Sequence, residues 1–359
     1  MAVEHPRVSI VFYISGHGLG HASRSIELLN VLAAQRPDAR LVVRTAAPLW
    51  LFHATAPKTV ELASVETDVG VVQIDSLNVD ERETALRAAH FYLTFDSRAD
   101  AEAAFLDAER ATIVLGDIPP LACAAAAQAG VISVAIGNFT WDWIYGGYEA
   151  FDSLAPGVIA TIRTAYAAAG RALRLPLHGG FEPMAAVTID IPFIARRSTR
   201  DPADTRRLLG VANDRPFVLV SFGPGGLDGL AVPYAAIAET EHLTVLAPGL
   251  ELPAPVTYED LVAAADVVIS KPGYGIVSEC IANGTALLYT SRGRFLEYDV
   301  FIGEMPRVLR CRYLPQTDLL TGRWGDAVRA LLEQPEAPER PRVDGSAVAA
   351  SEILNLVIG

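Results

Sequence analysis

Short apolar runs alternate along the chain with Ala-rich stretches, and this alternation predicts strands that are each followed by a helix. The run VSIVFYIS at 8–15 has the unbroken apolar character of a buried strand, and 22–35 has the composition of the following helix. Repetition of this unit is typical of a doubly wound α/β protein with parallel sheets. The remaining predicted elements are strands within 39–46, 111–117, 131–139, 216–226, 243–249, 265–275 and 285–291, and helices at 120–130 and 346–359.

These elements form two series, which predict two domains. Residues 195–202 between the series are charged and contain proline, as expected of a linker. A chain of 359 residues is also long for one hydrophobic core. We expect domains at 1–195 and 196–340, followed by a polar connector and a helix at 341–359 that can pack back on the first domain.

Each series opens with a strand that runs into a glycine-rich loop, SGHGLGHASR at 15–24 and SFGPGG at 221–226. Glycine permits close approach of the backbone to a ligand, and the start of the next helix adds exposed amides. The dinucleotide-binding spacing fails because His21 stands where glycine is needed, and neither loop ends in the Gly-Lys-Ser/Thr of a P-loop. Two interpretations of the first loop remain. Its amides hold phosphate and the histidines are incidental, or a histidine acts as a base.

The amino-acid composition argues against several classes of protein. A net charge of -13 argues against a nucleic-acid partner. The three cysteines are widely spaced, so free thiols are expected rather than a disulfide framework or a zinc site. No apolar run reaches the ~20 residues of a membrane span, and the N-terminus lacks the pattern of a signal peptide. A soluble, cytoplasmic protein is expected.

The first loop resembles the opening loop of GT-B glycosyltransferases, in the branch of the MurG-type and plant natural-product enzymes. The glycosyltransferase-like N-terminal domain of plant L-arabinokinases carries a similar loop. It also carries stretches similar to NFTWDWIY at 138–145, KPGYGIVSE at 271–279 and IDIPFIARR at 189–197. The similarity extends from Val8 to Trp324. It implies the GT-B architecture of two Rossmann-like parallel-sheet domains that face a central cleft. The acceptor would bind the N-terminal domain and the nucleotide sugar the C-terminal domain.

The resemblance also implies a catalytic pair. His21 matches the general base that deprotonates the acceptor hydroxyl, and Asp117 matches the carboxylate that orients it. An imidazole can take such a proton at neutral pH, and a carboxylate stabilises the imidazolium that forms. His17 is a rival base, or a contact to the acceptor or to the donor phosphate. The plainer alternatives are that His21 caps its helix and that Asp117 closes the turn before two prolines.

A donor site is implied in the second half, without a cofactor or a metal, since no Asp-x-Asp pair suited to a divalent ion occurs. Lys271 is one of two lysines in the chain, which makes its place at a glycine loop notable. Glu279 matches the ribose-binding carboxylate, although an exposed helical glutamate is the plainer alternative, and Glu297 matches the contact to the donor sugar. Backbone amides that would hold the diphosphate belong to Gly223, Gly225, Gly226, Gly273 and Gly275.

The acceptor would contact the first loop and the NFTWDWIY stretch. For the aromatic residues of that stretch, packing at a domain edge is the competing interpretation. The residues assigned to acceptor binding are Gly18, Gly20, Arg24, Asn138, Trp141 and Asp142.

The leading function is an inverting, metal-independent glycosyltransferase that moves a hexose or related sugar from a nucleotide diphosphate to a hydroxyl. The alternatives are a nucleotide-sugar epimerase or hydrolase of the same fold, and a non-catalytic module that binds a nucleotide sugar. The sugar, the nucleotide, the acceptor and the oligomeric state stay open at this stage.

Overall fold

The structure is a computed structural model that describes residues 8–212, 214–223, 232, 234–246 and 252–358. The chain divides into two compact units. The first contains the described residues up to Val72, Asp80–Ile194, and the residues from Asp344 onward; the second contains Gln73–Val79 and Ala195–Val343. Within the described residues, no helix has both the length and the apolar character needed to cross a bilayer.

The first unit is built on a parallel sheet. In its described residues the strands are β1 (Ser9–Ile14), β2 (Arg40–Thr45), β3 (Glu61–Ser64), β4 (Ile113–Asp117), β5 (Ser133–Gly137), β6 (Arg171–Arg174) and β7 (Thr188–Asp190). Their order is β3-β2-β1-β4-β5-β6-β7, and every neighbouring pair is parallel. The chain reverses its direction of travel across the sheet between β1 and β4, which is where ligands bind in open α/β sheets.

Helices connect these strands. Asp80 begins one of them by accepting a hydrogen bond from the backbone N–H of Glu83, which satisfies a donor left free at the helix start. The helices are α1 (Gly20–Gln35), α2 (Leu49–Thr55), α3 (Glu81–Tyr92), α4 (Phe95–Ala108), α5 (Pro120–Gln128), α6 (Trp141–Gly146), α7 (Ala150–Leu154) and α8 (Val158–Ala167), with a 3-10 helix at Glu182–Val187.

The second unit has its own parallel sheet. Its described strands are β8 (Phe217–Val220), β9 (Thr244–Leu246), β10 (Val267–Ser270), β11 (Ala286–Tyr289) and β12 (Cys311–Tyr313). They lie in the order β12-β11-β10-β8-β9, so the chain reverses between β8 and β10. The helices are α9 (Pro202–Leu209), α10 (Tyr234–Thr240), α11 (Tyr258–Ala264), α12 (Tyr274–Asn283), α13 (Leu296–Val308), α14 (Gln316–Thr321) and α15 (Gly325–Leu332). The predicted fold class, α/β with two parallel sheets, is confirmed.

The segment Gln73–Val79 belongs to the second unit although it lies within the chain of the first. Leu77 is buried in the second unit's core, in the same cluster as Val220 and Trp324. The predicted first domain of 1–195 includes this segment and differs from the structure there. The difference arises because a few contacts place this short segment, among them the burial of Leu77 and the hydrogen bond from the Gly293 N–H to the Leu77 carbonyl, and no periodic pattern marks it.

The C-terminal helix α16 (Gly345–Ile358) packs against α1 in the first unit. The backbone N–H of Gly345 donates to the carbonyl of Phe193 at 2.9 Å. A Cβ atom at position 345 would meet the backbone of Pro192, so glycine is required for this close approach.

Candidate active site

The glycine loop of the first unit joins β1 to α1, and β4 lies beside β1. Ile14, the last residue of β1, is paired with Asp117, the last residue of β4. Gly18 has a φ of 67°, in the left-handed region that favours glycine, and Gly20 begins α1. The loop therefore places the start of α1 beside the end of β4. The parallel pairing brings two distant sequence motifs to one edge of the sheet.

His21 and Asp117 form a hydrogen-bonded pair at this edge. The distance between His21 Nδ1 and Asp117 Oδ1 is 2.8 Å, and both side chains are buried. A carboxylate oxygen accepts and does not donate, so the Nδ1 atom carries the proton. The Nε2 atom of a neutral His21 ring then has a lone pair. The predicted catalytic residues lie together in the geometry of a general base and its orienting carboxylate.

Arg24 holds the same carboxylate from one turn further along α1. Its Nε donates to Asp117 Oδ2 at 2.7 Å, and the hydroxyl of Ser25 donates to that oxygen at 2.9 Å. Burial alone would raise the pKa of Asp117, but the charge and hydrogen bonds of Arg24, and then those of His21, outweigh it and lower the pKa to about 2. Asp117 is therefore an anion at neutral pH.

Arg24 and Asn138, assigned from the sequence to acceptor binding, lie inside the unit. The Nη1 atom of Arg24 donates to Asn138 Oδ1 at 2.7 Å, and both side chains are buried. Asn138 follows β5, so the end of this third strand braces the guanidinium that holds Asp117. In this structure Arg24 links the carboxylate of Asp117 to the side chain of Asn138.

Trp141 and Asp142 are also inside the unit. Trp141 is 0% exposed, and its ring packs edge-on to His17 with centroids 5.5 Å apart and tilted to His21 at 6.3 Å. The buried carboxylate of Asp142 accepts a hydrogen bond from Arg163 Nε at 3.0 Å. Trp141 thus packs against both histidine rings, and contact with an acceptor would require its exposure.

His17 is half-buried and lies beside His21, with ring centroids 6.4 Å apart. Its Nδ1 atom accepts a hydrogen bond from the backbone N–H of Val71 at 3.2 Å. Its own backbone N–H donates to Ser15 Oγ at 3.2 Å. His17 is therefore held by the backbone and by a loop hydroxyl, whereas His21 is held by a carboxylate.

Asp68 is a second buried carboxylate under the loop, and the sequence analysis missed it. Its Oδ1 accepts from Ser15 Oγ at 3.0 Å and its Oδ2 accepts from Trp141 Nε1 at 2.8 Å. Burial raises the pKa of Asp68, although hydrogen bonds from Ser15, Trp141 and the Gly16 amide and the nearby His21 oppose the rise. A single aspartate in a segment without periodicity carries no recognisable spacing, so no signal pointed to it.

The second unit presents glycines and a lysine at the corresponding strand ends. Gly223 follows β8 with a φ of 86°, Lys271 follows β10, and Gly273 lies directly before α12. Gly275 lies in the first turn of α12, while Gly225 and Gly226 lie outside the described residues. A helix start at a chain reversal of a parallel sheet is suited to an anion.

Two cations lie at this edge of the second sheet. Burial, and then the nearby charge of Arg292, lower the pKa of Lys271 to about 8, with Asp75 acting in the opposite direction. The side chain of Arg292 is 7% exposed, and its Nη1 lies 3.8 Å from Glu297 Oε2. Glu297, in the first turn of α13, is thus adjacent to a cation that sequence reasoning missed, because arginines are common in this chain.

Glu279 is buried in α12 and paired with Arg196. Arg196 Nε donates to Glu279 Oε1 at 2.7 Å, and its guanidinium lies over the ring of Tyr258 at 5.0 Å. Burial raises the pKa of Glu279, although the charge and hydrogen bond of Arg196 oppose the rise. A ribose hydroxyl bound here would share the carboxylate with Arg196. In the part of the chain that the structure describes, no group of His, Cys, Asp or Glu side chains has the arrangement of a metal site.

The chain is similar to known proteins over most of its length. The L-arabinokinase of Arabidopsis thaliana is 31% identical over 332 residues, which cover 87% of this chain and 31% of that protein. The UDP-N-acetylglucosamine--N-acetylmuramyl-(pentapeptide) pyrophosphoryl-undecaprenol N-acetylglucosamine transferase of Clavibacter michiganensis subsp. michiganensis (strain NCPPB 382) is 31% identical over 186 residues, which cover 40% of this chain and 49% of that protein. The chain spans about a third and about half of these two curated relatives. No protein-family model matches it.

A solved structure decides the fold. A UDP-glucosyltransferase from Polygonum tinctorium, in a complex with 3,4-dichloroaniline, matches with a TM-score of 0.61 at 12% identity, over 99% of this chain and 100% of that chain. The chain has the GT-B fold. In this GT-B protein, the His21–Asp117 pair occupies the chain reversal of the first sheet. Gly223 and Lys271 occupy the chain reversal of the second.

Proposed function

We propose that the chain is an inverting glycosyltransferase that uses a UDP-sugar, needs no metal, and has His21 as its general base. The observation that carries the proposal is the 2.8 Å contact between His21 Nδ1 and Asp117, which directs the lone pair to Nε2 at the carboxyl edge of the first sheet. The UDP donor is proposed from the names of the Clavibacter and Polygonum relatives.

In the proposed reaction, the acceptor hydroxyl donates its proton to His21 Nε2 as its oxygen attacks the anomeric carbon. The bond from that carbon to the diphosphate oxygen breaks, and UDP leaves as an anion. One displacement inverts the anomeric configuration. The alternative retaining route through a carboxylate nucleophile receives no support from Asp68 or Asp117, because both are buried and hydrogen-bonded.

The donor is proposed to bind the second unit. Lys271, Arg292 and the amides at the start of α12 would face the diphosphate, where a helix start and cations stabilise negative charge. Gly223 would let the end of β8 approach the nucleotide. Glu297 would hold sugar hydroxyls, and Glu279, fixed by Arg196, would hold the ribose.

UDP affinity is expected to fall as the pH rises above about 8. In the protein without UDP, Lys271 loses its proton above this pH, whereas a bound diphosphate favours the protonated form of Lys271. The affinity for UDP should therefore fall by up to about tenfold per pH unit. Titration calorimetry with UDP from about pH 7.5 to about pH 8.5 measures this, a range that lies between the ionisations of the terminal phosphate and of the uracil ring of UDP. Lys271→Arg, whose charge persists, should show a flat profile, and Lys271→Ala should bind weakly throughout. Parallel pH profiles in the wild type and Lys271→Arg would contradict the assignment.

Turnover is expected to survive chelation of divalent ions, because Lys271, Arg292 and the α12 amides supply the positive charge that a metal would otherwise provide. UDP release from UDP-glucose and UDP-N-acetylglucosamine is measured with and without EDTA. Product analysis separates transfer to an acceptor from hydrolysis or epimerisation of the donor. Loss of turnover in EDTA with recovery in magnesium would refute metal independence. Donor hydrolysis without transfer to any acceptor would support the hydrolase alternative instead.

A further inference from the structure

The segment Gln73–Val79, which belongs to the second unit, forms a tight turn. The backbone N–H of Ile74 donates to the carbonyl of Asn78 at 3.0 Å. Asp75 Oδ1 accepts from the backbone N–H groups of Leu77 at 2.7 Å and of Asn78 at 2.9 Å. The side-chain amide of Asn78 donates to Asp75 Oδ2 at 2.9 Å. Asparagine forms turns of this kind as aspartate does, so the charge of Asp75 is not needed for the turn.

The turn is docked on the carboxyl edge of the second sheet. Leu77 is buried in a cluster that includes one residue at or next to the end of each of β8, β10 and β11. These residues are Val220, Ile269 and Leu288. The backbone N–H of Gly293, in the loop after β11, donates to the carbonyl of Leu77 at 2.5 Å. The segment therefore lies at the edge of the sheet that carries the proposed donor residues.

The contacts of the turn lie on either side of the strand that leads to Lys271. On one side, Ser76 Oγ donates to the carbonyl of Phe222, in the loop after β8, in a long hydrogen bond of 3.4 Å. On the other side, Gly293 directly follows Arg292. In the sheet, β10 lies between β8 and β11, and Lys271 directly follows β10. The turn thus spans the strand end that carries Lys271.

Asp75 and Lys271 act on each other electrostatically. Burial, and then the charge of Arg292, lower the pKa of Lys271, and the charge of Asp75 opposes this fall. The hydrogen bond from the Asn78 side chain, the backbone hydrogen bonds of the turn and then the charge of Lys271 lower the pKa of Asp75, against the effect of burial. Asp75 is therefore an anion at neutral pH, and it offsets part of the positive charge of Lys271 and Arg292.

We infer that Gln73–Val79 forms part of the donor site and that Asp75 is the counter-ion of Lys271 that the diphosphate of the donor replaces. This inference deepens the proposed function and rests on it. In the empty site, Asp75 favours the protonated form of Lys271. When the donor binds, its diphosphate takes over that role, and the carboxylate then repels the phosphate oxygens. Asp75 therefore limits the affinity for the diphosphate, which favours release of UDP after transfer.

The effect of Asp75 on Lys271 can be measured without any ligand. The chain has two lysines, so protein labelled with 13C at lysine Cε gives two NMR signals, which Lys58→Arg assigns. Asp75→Asn keeps the turn and removes the charge, and should lower the pKa of Lys271 by roughly 0.5–1. Asp214→Asn removes an exposed charge just before β8, at the opposite edge of the sheet, and should leave this pKa unchanged. An unchanged pKa in Asp75→Asn would overturn the inference, because Asp75 would then serve only the turn.

Calorimetry with UDP-glucose, whose diphosphate has no ionisation near neutral pH, measures the effect on the donor. At about pH 6.5 Lys271 is protonated in both proteins, so Asp75→Asn should bind about 3–10-fold more tightly, and high salt should reduce this gain. At about pH 8.5 the gain should be smaller, because Lys271 of the variant loses its proton at a lower pH. Asp214→Asn should bind like the wild type at both pH values. Equal or weaker binding by Asp75→Asn at the lower pH would overturn the inference.

A second variant and the two measurements together separate the possible failures. Asp75→Ser, whose hydroxyl also forms turns of this kind, should behave like Asp75→Asn in both measurements. A wild-type protein that binds neither UDP-glucose, UDP-N-acetylglucosamine nor UDP would overturn the proposed function and the donor-site role of Asp75 together. Donor binding that does not respond to either variant would overturn the role of Asp75 alone and leave the proposed function in place.

Discussion

His21→Gln is expected to lower kcat by about 10²–10⁴-fold, the usual contribution of a positioned general base. The amide of Gln fills most of the space of the ring but cannot take a proton from the acceptor hydroxyl. Affinity for UDP should stay within about twofold of the wild type, because the proposed donor residues belong to the second unit and a mutation that removes only a chemical step leaves binding intact. Steady-state kinetics and UDP calorimetry measure the two effects separately.

Asp117→Asn tests whether the pair acts as one unit. The amide cannot stabilise a protonated His21 as the carboxylate does, so kcat should fall, and the double variant should be hardly slower than His21→Gln alone. Losses that multiply in the double variant would show that the two residues act independently. Full activity in His21→Gln, with loss in His17→Gln, would move the base to the other histidine of the loop.

The strands that carry the site were predictable from the sequence, and the resemblance to GT-B glycosyltransferases assigned His21 and Asp117 to it. β1 and β4 are unbroken apolar runs, and the carboxyl ends of neighbouring parallel strands meet at one edge. Because the structure makes β1 and β4 neighbours, the glycine loop after β1 meets the aspartate at the end of β4. Gly223 and Lys271, which were assigned from the resemblance to GT-B glycosyltransferases, follow β8 and β10, and these strands are also neighbours. The pairing of neighbouring strands thus brings together motifs that are far apart in the sequence.

Side-chain direction and isolated charges were beyond that reasoning. Arg24 and Trp141 were assigned to acceptor binding, but the sequence could not show that they point inward, to Asp117 and Asp68. Burial decides this, and burial depends on contacts between elements far apart in the chain. Asp68 and the segment Gln73–Val79 lie in parts of the sequence that show no hydrophobic periodicity. Their places result from a few specific contacts rather than from a repeated pattern.

Arg24 anchors the site electrostatically, and its loss is expected to be the most destabilising of these changes. Arg24→Met keeps much of the side-chain volume but leaves the 1% exposed carboxylate of Asp117 without its guanidinium. Removing one partner of a buried ion pair typically costs about 3–5 kcal/mol of unfolding free energy. Urea denaturation at pH 7 measures this change. Arg36→Met, which breaks an exposed pair with Asp38, is the matched control and should leave the unfolding free energy nearly unchanged.

The pH dependence and a double variant separate charge from packing. In the wild type the pKa of Asp117 is depressed to about 2, so its contribution to stability is complete above its ordinary pKa and is lost as the pH falls through about 2. Without Arg24, burial dominates and raises that pKa, so the carboxylate destabilises the fold at neutral pH and is relieved by protonation. The deficit of Arg24→Met relative to the wild type should therefore shrink between pH 7 and pH 4. Adding Asp117→Asn, which removes the unpaired charge, should recover part of the loss at pH 7. A deficit that is the same at both pH values and in the double variant would mean that Arg24 contributes packing rather than charge.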